Sequence, residues 1–185
     1  MTTSTDYTAL TGHYVLDPAH TRIGFVARHA MVTKVRGAFN EFTGSAHLDG
    51  ANPSRSSAEL TIQASSIDTR NADRDGHLRS NDFLQMDEHP EITFRTSEIT
   101  WTGEDAFDVT GDLTIKGTTR RVTVPFSFEG QATDPFGNVR VGFEGQTTIN
   151  RKDFGITWNA ALETGGVLVG DKVALEFEIP AIKQD

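Results

Sequence analysis

From Gly12 onward apolar and polar residues alternate with a period of two, the pattern of strands that bury one face and wet the other. Ile23, Phe25 and Ala27 share a face opposite Arg22 and Arg28. Val35, Gly37 and Phe39 share another, and Phe42, Gly44, Ala46 and Leu48 follow in opposite parity. Both sets point inward only if the chain bends near Asn40-Glu41, so a bulge or bend is predicted there. Ala58, Leu60, Ile62 and Ala64 continue the alternation, then Ile92 and Phe94. Phe107 to Ile115 and Val122 to Phe128 form a hairpin across Gly117-Thr118-Thr119, and Val139 to Ile149 and Val173 to Ile179 complete the set. The pattern predicts about eight or nine antiparallel strands, several longer than the usual roughly 5–6 residues. So tall a sheet must pack against another or close on itself.

One stretch breaks the period. Between Thr69 and Pro90 the residues are polar and helix-compatible: Asn71 can cap a first turn, Asp73 and Asp75 favour its positive end, and Ser80 can cap a second turn presenting Phe83 and Leu84. Gly76 weakens the first turn and His89-Pro90 stops the second. A helix this short and polar has no core of its own, so residues 71–88 are expected to lie as a lid across what the strands build. The inward rows also interrupt large residues with Ala27, Gly37, Gly44, Ala46, Ala58, Gly111 and Gly145. Eight strands close into a barrel either filled by side chains or holding one ligand. The small inward residues favour space inside; glycines at barrel corners under a filled core are the alternative.

Composition narrows the chemistry. The chain has 185 residues, a formal charge of −9 and no cysteine. Disulfides and thiol catalysis are excluded, and an acidic surface argues against nucleic acid as partner. Residues 1–11 read as a disordered polar N-terminus and 12–185 as one barrel domain. The start lacks the basic and apolar regions of a secretory signal, which points to a cytoplasmic protein. No apolar run approaches the roughly 20 residues of a spanning helix. The six histidines fall in no metal-binding spacing, and no nucleophile elbow, phosphate loop or dinucleotide fingerprint is present, so neither a metal nor a catalytic role is expected.

A specific resemblance accompanies this reading. Asp17-Pro18-Ala19-His20-Thr21-Arg22-Ile23-Gly24-Phe25, the passage Ser66-Ile67-Asp68-Thr69 leading to Arg74-Asp75-Gly76-His77-Leu78-Arg79-Ser80-Asn81-Asp82-Phe83, and Pro90-Glu91-Ile92-Thr93-Phe94 occur in order. Gly111 to Arg120, Asn150-Arg151-Lys152-Asp153-Phe154-Gly155 and Val169-Gly170-Asp171-Lys172-Val173 follow. Together they resemble the YceI-like family of bacterial polyisoprenoid-binding proteins, from about His13 to the C-terminus. The resemblance implies an all-β fold, an extended lipocalin-like eight-stranded antiparallel β-barrel. It also implies an elongated apolar pocket for an isoprenoid chain, such as a quinone, and roles in transport, storage or stress response.

Strand parity supplies the residues. For the lipid tail these are Phe25, Phe39, Phe42, Leu60, Ile62, Phe94, Leu113, Ile115, Phe126, Phe128, Phe143 and Phe154, with Phe83 and Leu84 closing from the lid. Phenylalanine offers large apolar area without a polar atom to satisfy. For a polar head group the candidates are His20, Arg22, His29, Arg79, Asn81, Asp82, Arg151 and Asp153; pairing of Arg79 with Asp82 and Arg151 with Asp153 at the barrel rim is the competing reading. The expected function is non-catalytic carriage or storage of a long-chain isoprenoid quinone or polyprenyl phosphate, with no required cofactor. Transient membrane contact and a homodimer are compatible with it. The alternatives are an enzyme or accessory factor acting on the same lipid and a filled-barrel interaction module.

Overall fold

The structure, a computed structural model, describes residues 7–163 and 165–184. Eleven strand segments form one antiparallel sheet in the order β1-β4-β5-β7-β8-β9-β10-β11-β2-β3-β6. They are β1 (Gly12–Leu16), β2 (Arg22–His29), β3 (Thr33–Phe39), β4 (Phe42–Leu48), β5 (Ser57–Gln63), β6 (Ile67–Asp68), β7 (Glu91–Trp101), β8 (Ala106–Ile115), β9 (Thr118–Thr133), β10 (Val139–Asn150) and β11 (Val169–Lys183). Pairing of β1 with β11, Tyr14 opposite Lys183, closes the sheet into a barrel. Closure removes the sheet edges that an open array of this height would expose.

The segments make eight staves, three of them broken. β1 and β2 are halves of one stave interrupted at 17–21: β11 pairs with β2 from Val169 to Glu178 and with β1 from Ala181 to Lys183. β3 and β4 are halves of the next, broken at Asn40-Glu41, where the parity of the sequence requires a bend. β5 continues into β6 through the 3-10 turn Ala64–Ser66, which buries Ala64. A further bulge sits in β7 between Thr96 and Glu98.

The helix α1 (Ala72–Arg79) lies at the end of the barrel where β7 starts and β10 finishes. The side chain of Asn71 accepts from the Arg74 N–H at 3.0 Å, as its capping position predicts. Asp75 has a different place from the one its charge suggests. It is buried and accepts from the N–H and hydroxyl of Thr69, at 2.8 and 2.5 Å, tying the helix to the wall. Residues 80–88 are turns and not a second helical turn. The chain folds back so that Leu84 N–H and Met86 N–H bond the carbonyls of Leu78 and Arg79, spending the helix's last acceptors.

At the opposite end the described residues reach into the segment read as a disordered N-terminus over 1–11. Residues 1–6 lie outside the described residues, but Thr8–Leu10 form a 3-10 turn that buries Leu10. Tyr7 stacks on Trp101 with ring centroids 5.2 Å apart and meets Phe128 edge-on at 5.5 Å, while its hydroxyl bonds the Glu104 carbonyl at 2.8 Å. Two aromatic neighbours and a buried leucine give this segment enough apolar contact to order it despite its polar composition. It stoppers the far end of the barrel.

Candidate functional site

Between lid and stopper lies an internal cavity of about 320 Å³. β11 alone lines it with Val169, Val173, Leu175, Phe177, Ile179 and Ala181, so it follows the strand for roughly 40 Å at about 3.3 Å per residue. Phe25, Phe39, Phe94, Phe126 and Phe143 face inward yet are only half-buried, because part of each ring fronts this space. Among the polar residues on the wall, which also include Ser45, Ser57, Glu59 and Thr93, Tyr14 donates to the Leu10 carbonyl at 2.8 Å and the Thr96 hydroxyl accepts from Ala58 N–H at 2.9 Å.

The glycines explain how so many rings leave a hollow. Phe25 stands opposite Gly37 in the ladder and Phe126 opposite Gly145. A Cβ on Gly37 would sit 2.3 Å from the Phe25 ring, one on Gly145 would sit 2.6 Å from Phe126, and one on Gly111 would sit 2.7 Å from Phe94. Each ring is laid over a glycine of the neighbouring strand. Gly37, Gly111 and Gly145 are therefore seats that hold rings against the wall.

Of the apolar candidates, all but Phe42 and Phe128 line the cavity. Phe42 packs against the large core cluster outside the cavity wall, and Phe128 is held beneath Tyr7 at the stopper. Phe83 and Leu84 are buried at the lid end beside Leu78. The sequence reading omitted Trp158, whose ring lies 4.7 Å from His77 and 5.4 Å from Phe83 and packs against the same core. It lies in irregular chain, where no alternation marks it. The contribution of β11 was legible in its alternation but not singled out.

The polar candidates do not converge. Arg22 is on the outer wall, folded over Gly24 and paired with Glu176 at 2.9 Å. His20, also outside, contacts Asp17 at 2.8 Å; Arg140 bridges Asp17 and Asp134 at 2.7 and 2.8 Å. Hydrogen bonding to Arg140 lowers the Asp134 carboxyl to about 2, and His20 and Arg140 lower that of Asp17. His29 and Asn81 are exposed. Arg79 donates to the Ser65 carbonyl at 3.3 Å rather than pairing with Asp82, which is 2.9 Å from the His77 ring. Asp153 is exposed and accepts through its carbonyl from Arg120.

Arg151 does reach the cavity wall, but its guanidinium faces backbone. It donates to the carbonyls of Ile156, Trp158, Val169 and Gly170 at 2.7 to 3.3 Å, with Asp171 at 3.8 Å. Burial lowers its pKa. The residue pins the chain around Trp158 to the start of β11. It thereby closes the lid end of the barrel.

No group of three or more His, Asp or Glu able to hold a metal occurs among the described residues. Nor is any helix among them long and apolar enough to cross a membrane.

Comparisons agree with this architecture. The YceI-like domain profile matches residues 14–181. A UPF0312 protein of Ectopseudomonas mendocina is 40% identical over 151 residues, covering 80% of this chain and 79% of that one. One from Pectobacterium carotovorum is 42% identical over 151 residues, covering 80% and 78%. Among solved structures, Burkholderia cenocepacia BcnA superposes with a TM-score of 0.79 at 27% identity, covering 89% of this chain and 98% of that one. A polyisoprenoid-binding domain from Saccharophagus degradans, implicated in plant cell wall breakdown, shares the fold at a TM-score of 0.70 and 16% identity, over 92% and 98% of the two chains. With a barrel of this form and a profile match spanning nearly all of it, the chain belongs to the YceI-like domain family.

Proposed function

We propose that the protein is a non-catalytic carrier or store for a long-chain isoprenoid lipid, a quinone or a polyprenyl phosphate, held with its tail in the barrel. The elongated apolar cavity carries this reading. Left unfilled, about 320 Å³ at about 24 cal/mol per Å³ would cost about 8 kcal/mol, comparable with the whole stability of many domains. Water is a poor filler of so apolar a wall, because a buried water needs polar partners. A chain-like apolar ligand gains about 0.8 kcal/mol per buried methylene and matches the cavity's length. The shared fold with a polyisoprenoid-binding domain supports the same ligand class.

The lid is the exchange route in this reading. Its polar attachment rests on Thr69, Asp75 and Arg74, its apolar attachment on Leu78, Phe83 and Leu84, and Gly76 is exposed with open space around it. No cofactor is required in this reading, because the wall presents almost entirely apolar surface rather than an acid–base pair.

Mass spectrometry of organic extracts of the purified protein tests the proposal, alongside folded Phe126→Arg and Phe143→Arg variants. A stoichiometric polyprenyl compound, lost in both variants, is the expected result. No bound lipid and no uptake of a long-chain quinone would overturn it.

A further inference from the structure

The hairpin joining β2 to β3 carries a surface unlike the rest of the molecule. At its tip Met31 is 58% and Val32 79% exposed, and Val167 of the adjacent loop is 44% exposed. Met31 packs over Gly166, where a Cβ would lie 2.1 Å from its sulfur, so the apolar residues form one patch. Ala30 and Met31 both adopt left-handed backbone, at φ 52° and 67°, a conformation that favours glycine. The tip is anchored by the Ala30 N–H to the Leu168 carbonyl at 2.7 Å.

The hairpin's own charges are all basic; on the adjoining segment Asp171 is paired with Lys152 at 3.3 Å and Glu163 is exposed. Arg28, His29, Lys34 and Arg36 are exposed, and none has an ion-pair partner among the described residues. Arg28 and Lys34 stand directly opposite in the ladder, an arrangement that costs stability. No acidic residue occurs from Pro18 to Asn40, in a chain whose net charge is −9. Elsewhere some arginines are matched by carboxylates, as Arg22 with Glu176, Arg121 with Glu98 and Arg140 with two aspartates. At physiological salt a Debye length of about 8 Å screens the distant acidic surface, so the local cations govern what approaches this tip.

The tip also has a telling position. It projects from the lid end, on the strand whose Phe25 and Ala27 line the cavity, beside Val169 at the start of β11. We propose that this hairpin docks the lid end of the barrel on an anionic bilayer. Met31 and Val32 enter the interface while Arg28, Lys34 and Arg36 lie on the lipid phosphates. Two apolar side chains and a few cations give a reversible attachment, and that is what delivery or collection of a lipid requires. This inference gives the carrier reading its place of exchange and rests on that reading for its purpose.

Flotation with vesicles tests it. The full chain is expected to float with phosphatidylcholine vesicles containing phosphatidylglycerol, to release at high salt, and to ignore pure phosphatidylcholine. Each cation removed, as in Lys34→Gln or Arg36→Gln, should weaken binding about fivefold. Val32→Asp should lose it, while Phe136→Ser, at an exposed turn on the opposite end, should match the parent. Equal binding to neutral vesicles, no binding to anionic ones, or hairpin variants that float like the parent would overturn docking. Lipid extracted from the same preparations separates the two proposals. Barrels that hold lipid but do not float overturn docking alone, and barrels that float through the hairpin without ever holding lipid overturn the carrier alone.

Discussion

Filling the barrel should stabilise it, and the sign of that effect distinguishes a hollow interior from a packed one. Ala27 lines the cavity at the lid end and Ala58 lines it nearer the stopper. Replacing either by leucine adds three carbons to a side chain that fronts open space. At about 0.8 kcal/mol per buried carbon the ceiling is about 2.4 kcal/mol, and cavity-filling changes commonly deliver about 0.5–2 kcal/mol. In a protein of this size that corresponds to about 1–8 °C in Tm. In a close-packed core the same leucines would cost about 1–3 kcal/mol through overpacking. Urea titration of lipid-stripped parent, Ala27→Leu, Ala58→Leu and the double variant measures the difference. The sites are far apart, so the gains should add. Each substitution should also reduce lipid uptake. Destabilisation by both leucines would refute the hollow-barrel reasoning, whatever lipid the protein yields.

Other expectations follow from individual contacts. Gly145→Ala forces the Phe126 ring off its seat and into the cavity, so lipid capacity measured by extraction should fall while circular dichroism keeps the barrel signature. Arg151→Met removes the guanidinium donor from four carbonyls, of which Val169 keeps Asn159, and should cost about 3 kcal/mol in urea, with faster lipid loss from the loosened end. Asp75→Asn weakens the bonds to Thr69 N–H and hydroxyl and should speed quinone exchange in stopped-flow transfer without changing the amount bound at saturation. The carboxyls of Asp134 and Asp17 are depressed in the folded state, so their contribution is present above the unfolded carboxylate pKa of about 3.9 and is lost as pH falls toward 2. Arg140→Gln should therefore shift acid unfolding to higher pH, followed by tryptophan fluorescence.

The barrel was legible because its determinants are local. Alternation gives each strand an inside and an outside, and the parity switch between Phe39 and Phe42 fixes the bend at Asn40-Glu41. Inward phenylalanines could be named from the same rule. Phe128 obeys that rule too and is still spent under Tyr7, since parity says which face a ring takes but not which neighbour covers it. The head-group candidates failed to assemble for a related reason. Arg22 lies on the polar face of its own strand, and only the tertiary structure shows that Arg151 is consumed by backbone carbonyls. Tyr7 was hidden by the polar composition around it. Its order comes from Trp101 and Phe128, nearly a hundred residues or more away along the chain.

Phenylalanine rings parked on glycines of the adjacent strand make the bore of this barrel a separate variable from its fold. Strand number and register fix the outer wall, but each ring–glycine pair decides locally how much of the interior is left free. One methyl at Gly37 or Gly145 would narrow one level of the tunnel and leave the hydrogen-bonded ladder intact, whereas one at Gly111 would also strike the Arg95 backbone carbonyl. Ligand calibre can thus be graded level by level along the axis through single small substitutions, within an unchanged frame.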